Sequence, residues 1–203
     1  MKLLLHPFIL LFCTHKRLFV LFLEQSLKKL QFFSTIVKNV KKDHGIQALV
    51  LTPTRELAEQ ITNELSDFSK YKELNVISVY GGVSMYNQVK MLPSAEIVVA
   101  TPGRILDLID RGSIDLRNVN TLVLDEADRM LDMGFINDIK TLMIHVPNDR
   151  QTLCFSATMS KTIEALVNDF LKNPSVISVK TNETPENIEQ DIIRVNSSNK
   201  MDV

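Results

Sequence analysis

The sequence predicts an α/β fold in which a parallel sheet carries helices on both faces. Three observations support this prediction. Short apolar segments of strand length alternate with segments whose apolar residues recur every three or four positions. The apolar run at 122–124 suits a strand buried on both faces, and it leads directly into Asp125 and Glu126. The length of 203 residues fits one such domain with extensions.

The strands and helices follow one another in a regular order, and right-handed crossovers would join the strands. The predicted strands are Leu18–Leu23, Gln47–Leu51, Asn75–Tyr80, Ile97–Ala100, Thr121–Leu124, Thr152–Phe155 and Val176–Val179. The apolar faces of the predicted helices comprise Leu30, Phe33, Val37 and Val40; Leu57, Ile61, Leu65 and Phe68; Ile105, Leu108 and Ile109; Ile136, Ile139, Met143 and Val146; and Ile163, Leu166, Val167 and Phe170. Asn173 and Pro174 are expected to end the last helix.

Charge is distributed unevenly along the chain, although the net charge is only −1. Residues 1–45 carry eight Lys and Arg against two acids, and the remainder carries 15 against 22. A basic segment could bind nucleic acid or anionic lipid. The Lys and Arg residues of 1–45 are scattered among leucines, however, and do not decide between these two partners. The two cysteines, Cys13 and Cys154, form no CxxC pair and are expected to be reduced, which suits a cytoplasmic protein.

The first 24 residues are apolar but are interrupted by His6, Pro7 and the polar segment 14–17. No run reaches the roughly 18 uncharged residues that a transmembrane helix needs. A signal peptide would lack a small-residue cleavage site, because the first glycine is Gly45 and the first alanine is Ala48. No membrane role is therefore expected, and residues 1–15 remain unassigned.

The segments that follow the predicted strands share one kind of chemistry. They are rich in small hydroxyl residues, glycines, arginines and acids: Thr52-Pro53-Thr54-Arg55, Gly81-Gly82, Thr101-Pro102-Gly103-Arg104, Asp125-Glu126-Ala127-Asp128 and Ser156-Ala157-Thr158. Because ligands bind outside the carboxyl ends of strands in open α/β sheets, we expect an edge suited to phosphates and a hard metal ion. The alternative for Asp125 and Glu126 is that the two acids simply open a helix.

The first of these segments continues as Pro53-Thr54-Arg55-Glu56-Leu57-Ala58. In this order and spacing, the segments resemble the motifs of the DEAD-box ATP-dependent RNA helicases of superfamily 2. The sequence around them, such as residues 45–51 and 129–135, resembles the prokaryotic members. The resemblance covers roughly residues 25 to 195. It implies a RecA-like (P-loop NTPase-like) three-layer αβα domain. Family members have two such domains, which bind ATP and Mg²⁺ between them and single-stranded RNA across both. By this resemblance, residues 16–180 form the first helicase domain, and 181–203 form a linker and the first strand of a second domain.

The resemblance assigns roles to the acidic and hydroxyl residues. Asp125 would hold Mg²⁺ through water, and Glu126 would activate the hydrolytic water. Asp128 would bond to the Ser156–Thr158 loop. Ser156 and Thr158 would couple the nucleotide state to the binding of RNA. The alternative for these two hydroxyl residues is a turn that caps the next helix, which Ser160 could also do.

The remaining motifs would contact RNA, namely Pro53, Thr54, Arg55, Gly81, Gly82, Thr101, Pro102, Gly103 and Arg104. The N-terminus of a helix that begins near Arg55 could present free N–H groups to a phosphate, and the glycines would let backbones approach closely. The alternatives are plain glycine turns and a salt bridge from Arg55 to Glu59. Binding through phosphates should be independent of base sequence and sensitive to salt, and no clustered aromatic platform for stacking is evident.

The chain departs from the family at its phosphate-binding loop. No glycine precedes Gly45, so an intact G-x-x-x-x-G-K-[ST] motif is missing. An ungapped alignment places Lys28 on the phosphate-binding lysine, with Gln25 and Leu27 in place of glycines and Lys29 in place of the Mg²⁺-binding hydroxyl. Lys28 is thus the candidate for a residual phosphate contact, and a solvated basic face is the alternative. The family's adenine-reading glutamine also has no candidate.

These departures leave several functions open. One is a helicase, present as a fragment deficient in ATP binding and unwinding, which also lacks the arginine fingers of the second domain. Another is a non-catalytic RecA-like module that binds RNA or a protein. A third is a DNA translocase of the same superfamily. The motif spelling favours RNA by resemblance alone.

Overall fold

The computed structural model describes residues 19–22, 33–170 and 175–178. Several sequence-based predictions lie outside these residues. They concern segment 1–15, the phosphate-binding loop with Lys28, the helix end at Asn173 and Pro174, and the linker and strand assigned to 181–203.

Within the described residues, seven strands form one sheet with parallel pairings, in the order β3-β4-β2-β5-β6-β1-β7. The strands are β1 (Phe19–Phe22), β2 (Ala48–Leu51), β3 (Val76–Val79), β4 (Ile97–Ala100), β5 (Thr121–Leu124), β6 (Gln151–Phe155) and β7 (Ser175–Ser178). The seven predicted strands are confirmed; β4 and β5 have the predicted ends, and the ends of the others differ by at most one residue.

Helices connect the strands. They are α1 (33–39 within the described residues), α2 (Arg55–Ser69), α3 (Met85–Met91), α4 (Pro102–Asp110), α5 (Ala127–Asp132), α6 (Ile136–His145) and α7 (Lys161–Phe170). The short helix α3 was not predicted. Its apolar residues Met85 and Val89 are one helical turn apart, but they are too few to establish a period.

The sheet separates two hydrophobic cores, because successive side chains of a strand point to opposite faces. Leu49 and Leu51 of β2 pack into the core beneath α4 to α7, whereas Ala48 and Val50 pack into the core beneath α1 and α2. All four residues of β2, β4 and β5 are buried. The three-layer αβα architecture is therefore confirmed.

One residue of a predicted helix face is exposed. Phe68 was expected to lie on the buried face of α2, but its exposed fraction is 41%. The buried residues of this helix are Ala58, Ile61, Leu65 and Ser69. The face therefore runs through Ser69 instead, and Phe68 lies beside the core with its ring 5.8 Å from that of Phe33.

Cys154 is buried in the core, as predicted. Within the described part of the chain, no helix combines the length and the apolar composition that crossing a bilayer requires.

A buried carboxylate joins the loops at the amino ends of the strands. Glu96 is only 2% exposed, and it accepts backbone N–H bonds from Asn75 at 2.7 Å and from Asp43 at 3.1 Å. The ammonium of Lys42 lies 3.5 Å from its carboxylate. Each carboxylate oxygen thus satisfies one backbone donor, and the two loops are tied to the start of β4.

We predict that Glu96→Gln lowers the free energy of unfolding by about 1–3 kcal/mol, because the new amide group would face one of the two backbone donors. Urea unfolding measures this loss. Asp115→Asn is the control, since Asp115 forms an exposed ion pair with Arg117 and such pairs contribute little. Equal unfolding midpoints for the two variants would contradict the prediction.

Candidate functional site

The parallel ladder continues past the strand ends and aligns the polar segments that follow them. One residue beyond β2, β4 and β5, the backbone N–H still donates to the neighbouring strand: Thr52 to the Ala100 oxygen at 2.9 Å, Thr101 to the Val79 oxygen at 3.0 Å and Asp125 to the Leu51 oxygen at 2.9 Å. The predicted site segments of β2 to β6 therefore begin at one edge of the sheet.

Asp125 and Glu126 differ in their environments, although they are adjacent. Asp125 is 6% exposed, and its Oδ1 accepts the backbone N–H of Glu126 at 2.9 Å. Glu126 adopts the left-handed conformation, with φ 52° and ψ 51°, immediately before α5. A non-glycine residue in this conformation stores strain, which is common at functional sites. Nη1 of Arg129 donates to the Glu126 carboxylate at 3.2 Å and holds it at the helix start.

Asp128 bonds to the loop that follows β6, as the resemblance implies. Its Oδ2 accepts the backbone N–H groups of Ala157 and Thr158, both at 3.0 Å, and the Thr158 hydroxyl at 3.2 Å. The hydroxyl of Ser156, which is buried, donates to the Thr158 carbonyl at 2.8 Å. The ends of β5 and β6 are thus joined by side chains as well as by the sheet.

Ser160 is the residue that caps α7, because its hydroxyl accepts the backbone N–H of Ile163 at 3.3 Å. Ser156 and Thr158 make different contacts, within the loop and with Asp128. The alternative that these two residues serve as the helix cap is therefore wrong.

The acidic residues are compatible with Mg²⁺ held through water, but they do not form a cage for it. No group of three or more His, Cys, Asp or Glu side chains that could hold a metal ion occurs in the described ranges. Mg²⁺ usually keeps several waters and takes one or two carboxylates together with substrate phosphates. Asp125 fits that requirement. The sequence at Gln25–Lys29 does not fit a phosphate-binding loop, since the glycines are replaced.

The N-terminus of α2 presents a polar surface after β2. Thr54 is the cap, and its Oγ1 accepts the Leu57 N–H at 3.3 Å. Pro53 is buried beneath it. Nε of Arg55, whose side chain is 60% exposed, donates to the Glu56 carboxylate at 2.6 Å. This hydrogen bond lowers the pKa of Glu56 and raises the pKa of Arg55.

The predicted alternative partner of Arg55 is wrong. Glu59 accepts a short hydrogen bond from the Tyr80 hydroxyl, and this bond raises the pKa of Tyr80. The guanidinium pairs instead with Glu56, next to it in sequence. Glu59 thereby links α2 to the residue that precedes the Gly81-Gly82 turn.

The Gly81-Gly82 turn lies near the Arg55 side chain. Gly82 has φ +84°, a conformation that side-chain-bearing residues rarely adopt, and a Cβ placed on it would lie 3.8 Å from Nη1 of Arg55. A Cβ on Gly81 would meet no atom within 4 Å. Both glycines are exposed. The turn thus exposes backbone beside a guanidinium, and only Gly82 needs to be glycine for conformational reasons.

The segment after β4 begins α4. Pro102 is the first helical residue and is buried, and Thr101 precedes it without a side-chain capping bond. Gly103 does not have positive φ, and the nearest atom to a Cβ placed there is Oδ2 of Asp138 at 3.9 Å. Among the described residues, nothing crowds the Gly103 position.

Arg104 is turned inward, whereas the sequence suggested a charge available to a ligand. Its side chain is 10% exposed. Nη1 and Nη2 donate to the Val83 carbonyl at 3.3 and 3.2 Å, and Nη1 also donates to Oε1 of Gln88 at 3.2 Å. The guanidinium therefore holds the carbonyl of Val83, the residue that follows the Gly81-Gly82 turn.

Two residues of this edge were missed by sequence reasoning, Gln88 and Arg129. Gln88 belongs to the unpredicted helix α3, and a glutamine gives no sign of burial in the sequence. Arg129 could have been found, since it lies three residues after Glu126 at the start of a helix, where ion pairs form readily.

The described site residues form two groups along one edge of the sheet. Asp125, Glu126, Asp128, Ser156 and Thr158 follow β5 and β6. The second group follows β2, β3 and β4 and comprises Pro53, Thr54, Arg55, Gly81, Gly82, Thr101, Pro102, Gly103 and Arg104.

Comparison with protein families gives a match to the DEAD/DEAH box helicase model over residues 18–166. Among curated proteins, the chain is 46% identical over 170 residues to RNA helicase CrhR from Synechocystis, covering 83% of this chain and 35% of that protein. It is 44% identical over 179 residues to DEAD-box ATP-dependent RNA helicase CshA from Geobacillus kaustophilus, covering 87% of this chain and 38% of that protein.

A similar solved structure is that of a DEAD box protein from the hyperthermophile Methanococcus jannaschii. The TM-score is 0.78 and the sequence identity 40%, and the match covers 90% of this chain and 50% of the other. The chain thus spans about a third to a half of the length of these relatives.

We predict that Gly82→Ala lowers the free energy of unfolding by about 1–2 kcal/mol, because the alanine Cβ disfavours positive φ. Gly81→Ala is the matched control, since Gly81 lacks positive φ and has open space around it. Its effect should stay within about 0.5 kcal/mol. Urea unfolding of both variants tests this difference, and equal stabilities would show that the turn does not require the left-handed conformation.

Proposed function

This chain belongs to the DEAD/DEAH box helicase family, and we propose that its motif-bearing edge binds single-stranded RNA through the sugar-phosphate backbone. The observation that carries the proposal is the position of the Arg55 guanidinium beside the exposed Gly81-Gly82 turn, where a Cβ placed on Gly82 would lie 3.8 Å from Nη1. Exposed backbone, a fixed positive charge and a helix N-terminus are the features that recognise phosphates.

The proposed interface runs along the second group of site residues. Thr54, Arg55, Gly81 and Gly82 would contact phosphates and sugars, while Pro53 and Pro102 shape the loops beneath them. Thr101 and Gly103 would offer a hydroxyl and an accessible backbone. Arg104 would act mainly by holding the turn, since its guanidinium already has partners in the chain.

RNA is favoured over DNA because the relatives' names describe RNA helicases. The contacts proposed here are to phosphate and sugar, so base sequence should have little effect on affinity. A DNA translocase of the same superfamily would share this architecture. Comparison of RNA and DNA strands of one sequence therefore separates these two functions.

For the first group of residues, we propose the roles that the family implies. Asp125 would hold Mg²⁺ through water, and Glu126 would accept a proton from the attacking water. Ser156 and Thr158 would transmit the nucleotide state through Asp128, and the hydrogen bonds between Asp128 and their loop support this role. When bound, ATP with Mg²⁺ would supply the energy for unwinding.

We further propose that this chain by itself binds ATP poorly and is consequently deficient in hydrolysis and unwinding. The support comes from the sequence, in which Gln25 and Leu27 stand in place of glycines and Lys29 in place of a metal-binding hydroxyl. A leucine side chain would obstruct the close approach of backbone N–H groups to phosphates. Lys28 would keep at most a single contact.

A second candidate function is a non-catalytic module that binds RNA or a protein partner. It is favoured by the same substitutions at Gln25–Lys29, because they affect nucleotide binding and leave the RNA-facing segments intact. A cytoplasmic location would suit either function.

For RNA binding, we predict that Arg55→Ala weakens the affinity for a single-stranded RNA of mixed sequence about tenfold, through loss of a phosphate contact. The slope of log affinity against log salt should become shallower by about 0.7, the value for one phosphate on a single strand. Fluorescence anisotropy at several salt concentrations measures both quantities.

Arg117→Ala is the matched control for this experiment. Arg117 is an exposed arginine that forms an ion pair with a neighbouring acid, Asp115, just as Arg55 does with Glu56. It lies before β5, at the opposite edge of the sheet. Equal losses in the two variants would indicate general electrostatic attraction and contradict the proposed interface.

For ATP, we predict a Kd above about 1 mM, equivalent to less than about 4 kcal/mol of binding free energy. The triple variant Gln25→Gly, Leu27→Gly, Lys29→Thr should bind ATP with Mg²⁺ at least about tenfold more tightly, because it restores the backbone cradle and the metal ligand. Isothermal titration calorimetry measures both affinities. Micromolar affinity in the unmodified chain, or RNA-stimulated hydrolysis that Lys28→Ala and Asp125→Asn abolish, would refute the proposed deficiency.

A further inference from the structure

Gln88 is a buried polar side chain that lies behind the glycine turn. It is 4% exposed, on the helix α3 that follows the turn. Its Nε2 donates to the Tyr80 carbonyl at 3.0 Å, and its Oε1 accepts from Nη1 of Arg104 at 3.2 Å. The amide therefore uses both of its ends, and it connects the end of β3 with α4.

Arg104 extends this connection to the other side of the turn. Both of its Nη atoms donate to the Val83 carbonyl, at 3.3 and 3.2 Å. The two carbonyls that flank Gly81-Gly82, those of Tyr80 and Val83, are thus held by one continuous network. Gln88 is its central member, because it alone contacts both Tyr80 and Arg104 in the network.

The turn needs such support because it has little of its own. Gly81 and Gly82 carry no side chains that could pack, and glycine has the greatest backbone freedom of any residue. An ordered glycine turn can present its backbone to a ligand without first losing that freedom, and such preorganisation strengthens binding.

We propose that Gln88 is a positioning residue that fixes the Gly81-Gly82 turn for contact with the nucleic-acid backbone. The ordering of the turn by Gln88 stands on the hydrogen bonds alone, whereas its effect on affinity rests on the proposed RNA binding. Gln88 lies behind the turn and does not touch the RNA. Its substitution should therefore act through the mobility of the turn.

Gln88→Met tests this proposal, since methionine is unbranched and of similar size but lacks both polar groups. Backbone ¹⁵N relaxation of Gly81 and Gly82 measures the order of the turn. We expect the order parameters to fall from about 0.85 to below about 0.6. The affinity for single-stranded RNA should fall about fivefold, because the turn must then be ordered on binding.

Two further variants make the result specific. Gln88→Glu retains the acceptor for Arg104 but loses the donor to Tyr80, so it should give intermediate order and intermediate affinity. Gln60→Met, on the exposed surface of α2, makes the same chemical change at a residue that, within the described ranges, bonds to Glu64 alone; it should leave both quantities unchanged. If Gln88→Met does not fold, the order of the turn and the RNA affinity of Gln88→Glu are compared with those of Gln60→Met instead.

Unchanged order of the turn in the Gln88 variants would overturn the proposal. It would also be overturned if the turn became mobile while RNA affinity stayed equal to that of Gln60→Met and Arg55→Ala still weakened binding. If the unmodified chain binds no RNA, the proposed function fails, and the relaxation data alone decide whether Gln88 holds the turn.

Discussion

The parallel hydrogen-bond ladder is the constraint on which the rest of the structure depends. Because all pairings run in the same direction, the ladder brings the carboxyl ends of the strands to one edge. It continues for one residue beyond β2, β4 and β5 through the N–H groups of Thr52, Thr101 and Asp125. The first residue of these three segments is thereby fixed by the sheet, and only their later residues depend on side-chain contacts.

Those later residues are held in two different ways. On the β5 and β6 side, carboxylates accept backbone N–H groups, as Asp128 does from Ala157 and Thr158. On the β2 to β4 side, side-chain donors hold backbone carbonyls, as Arg104 and Gln88 do. Carboxylates suit N–H donors and guanidinium suits carbonyls, so the residue types of the motifs are explained by packing at the edge as well as by ligand chemistry.

The sequence predicts the strands and most helices because the spacing of apolar residues that marks each element involves only residues close together in the chain. It also locates the edge, since parallel pairing makes the strand ends coincide. It does not predict α3, which is short, or the burial of Gln88, because that depends on an arginine 16 residues away. The inward turn of Arg104 toward the Val83 carbonyl and Gln88 is likewise a choice of side-chain rotamer, as is the pairing of Arg55 with Glu56. The phosphate-binding loop lies outside the described residues, so only the sequence of residues 25–29 bears on nucleotide binding.

The contact between Asp128 and the loop after β6 has a consequence for movement. Three donors converge on a single oxygen, Oδ2, while the other oxygen accepts the N–H of Arg129. Movement of this one side chain away from the loop would break all three bonds together. Because the three bonds share one acceptor, loss of that acceptor would detach the loop from α5 in a single step. Such a detachment would be abrupt and confined to the ends of β5 and β6.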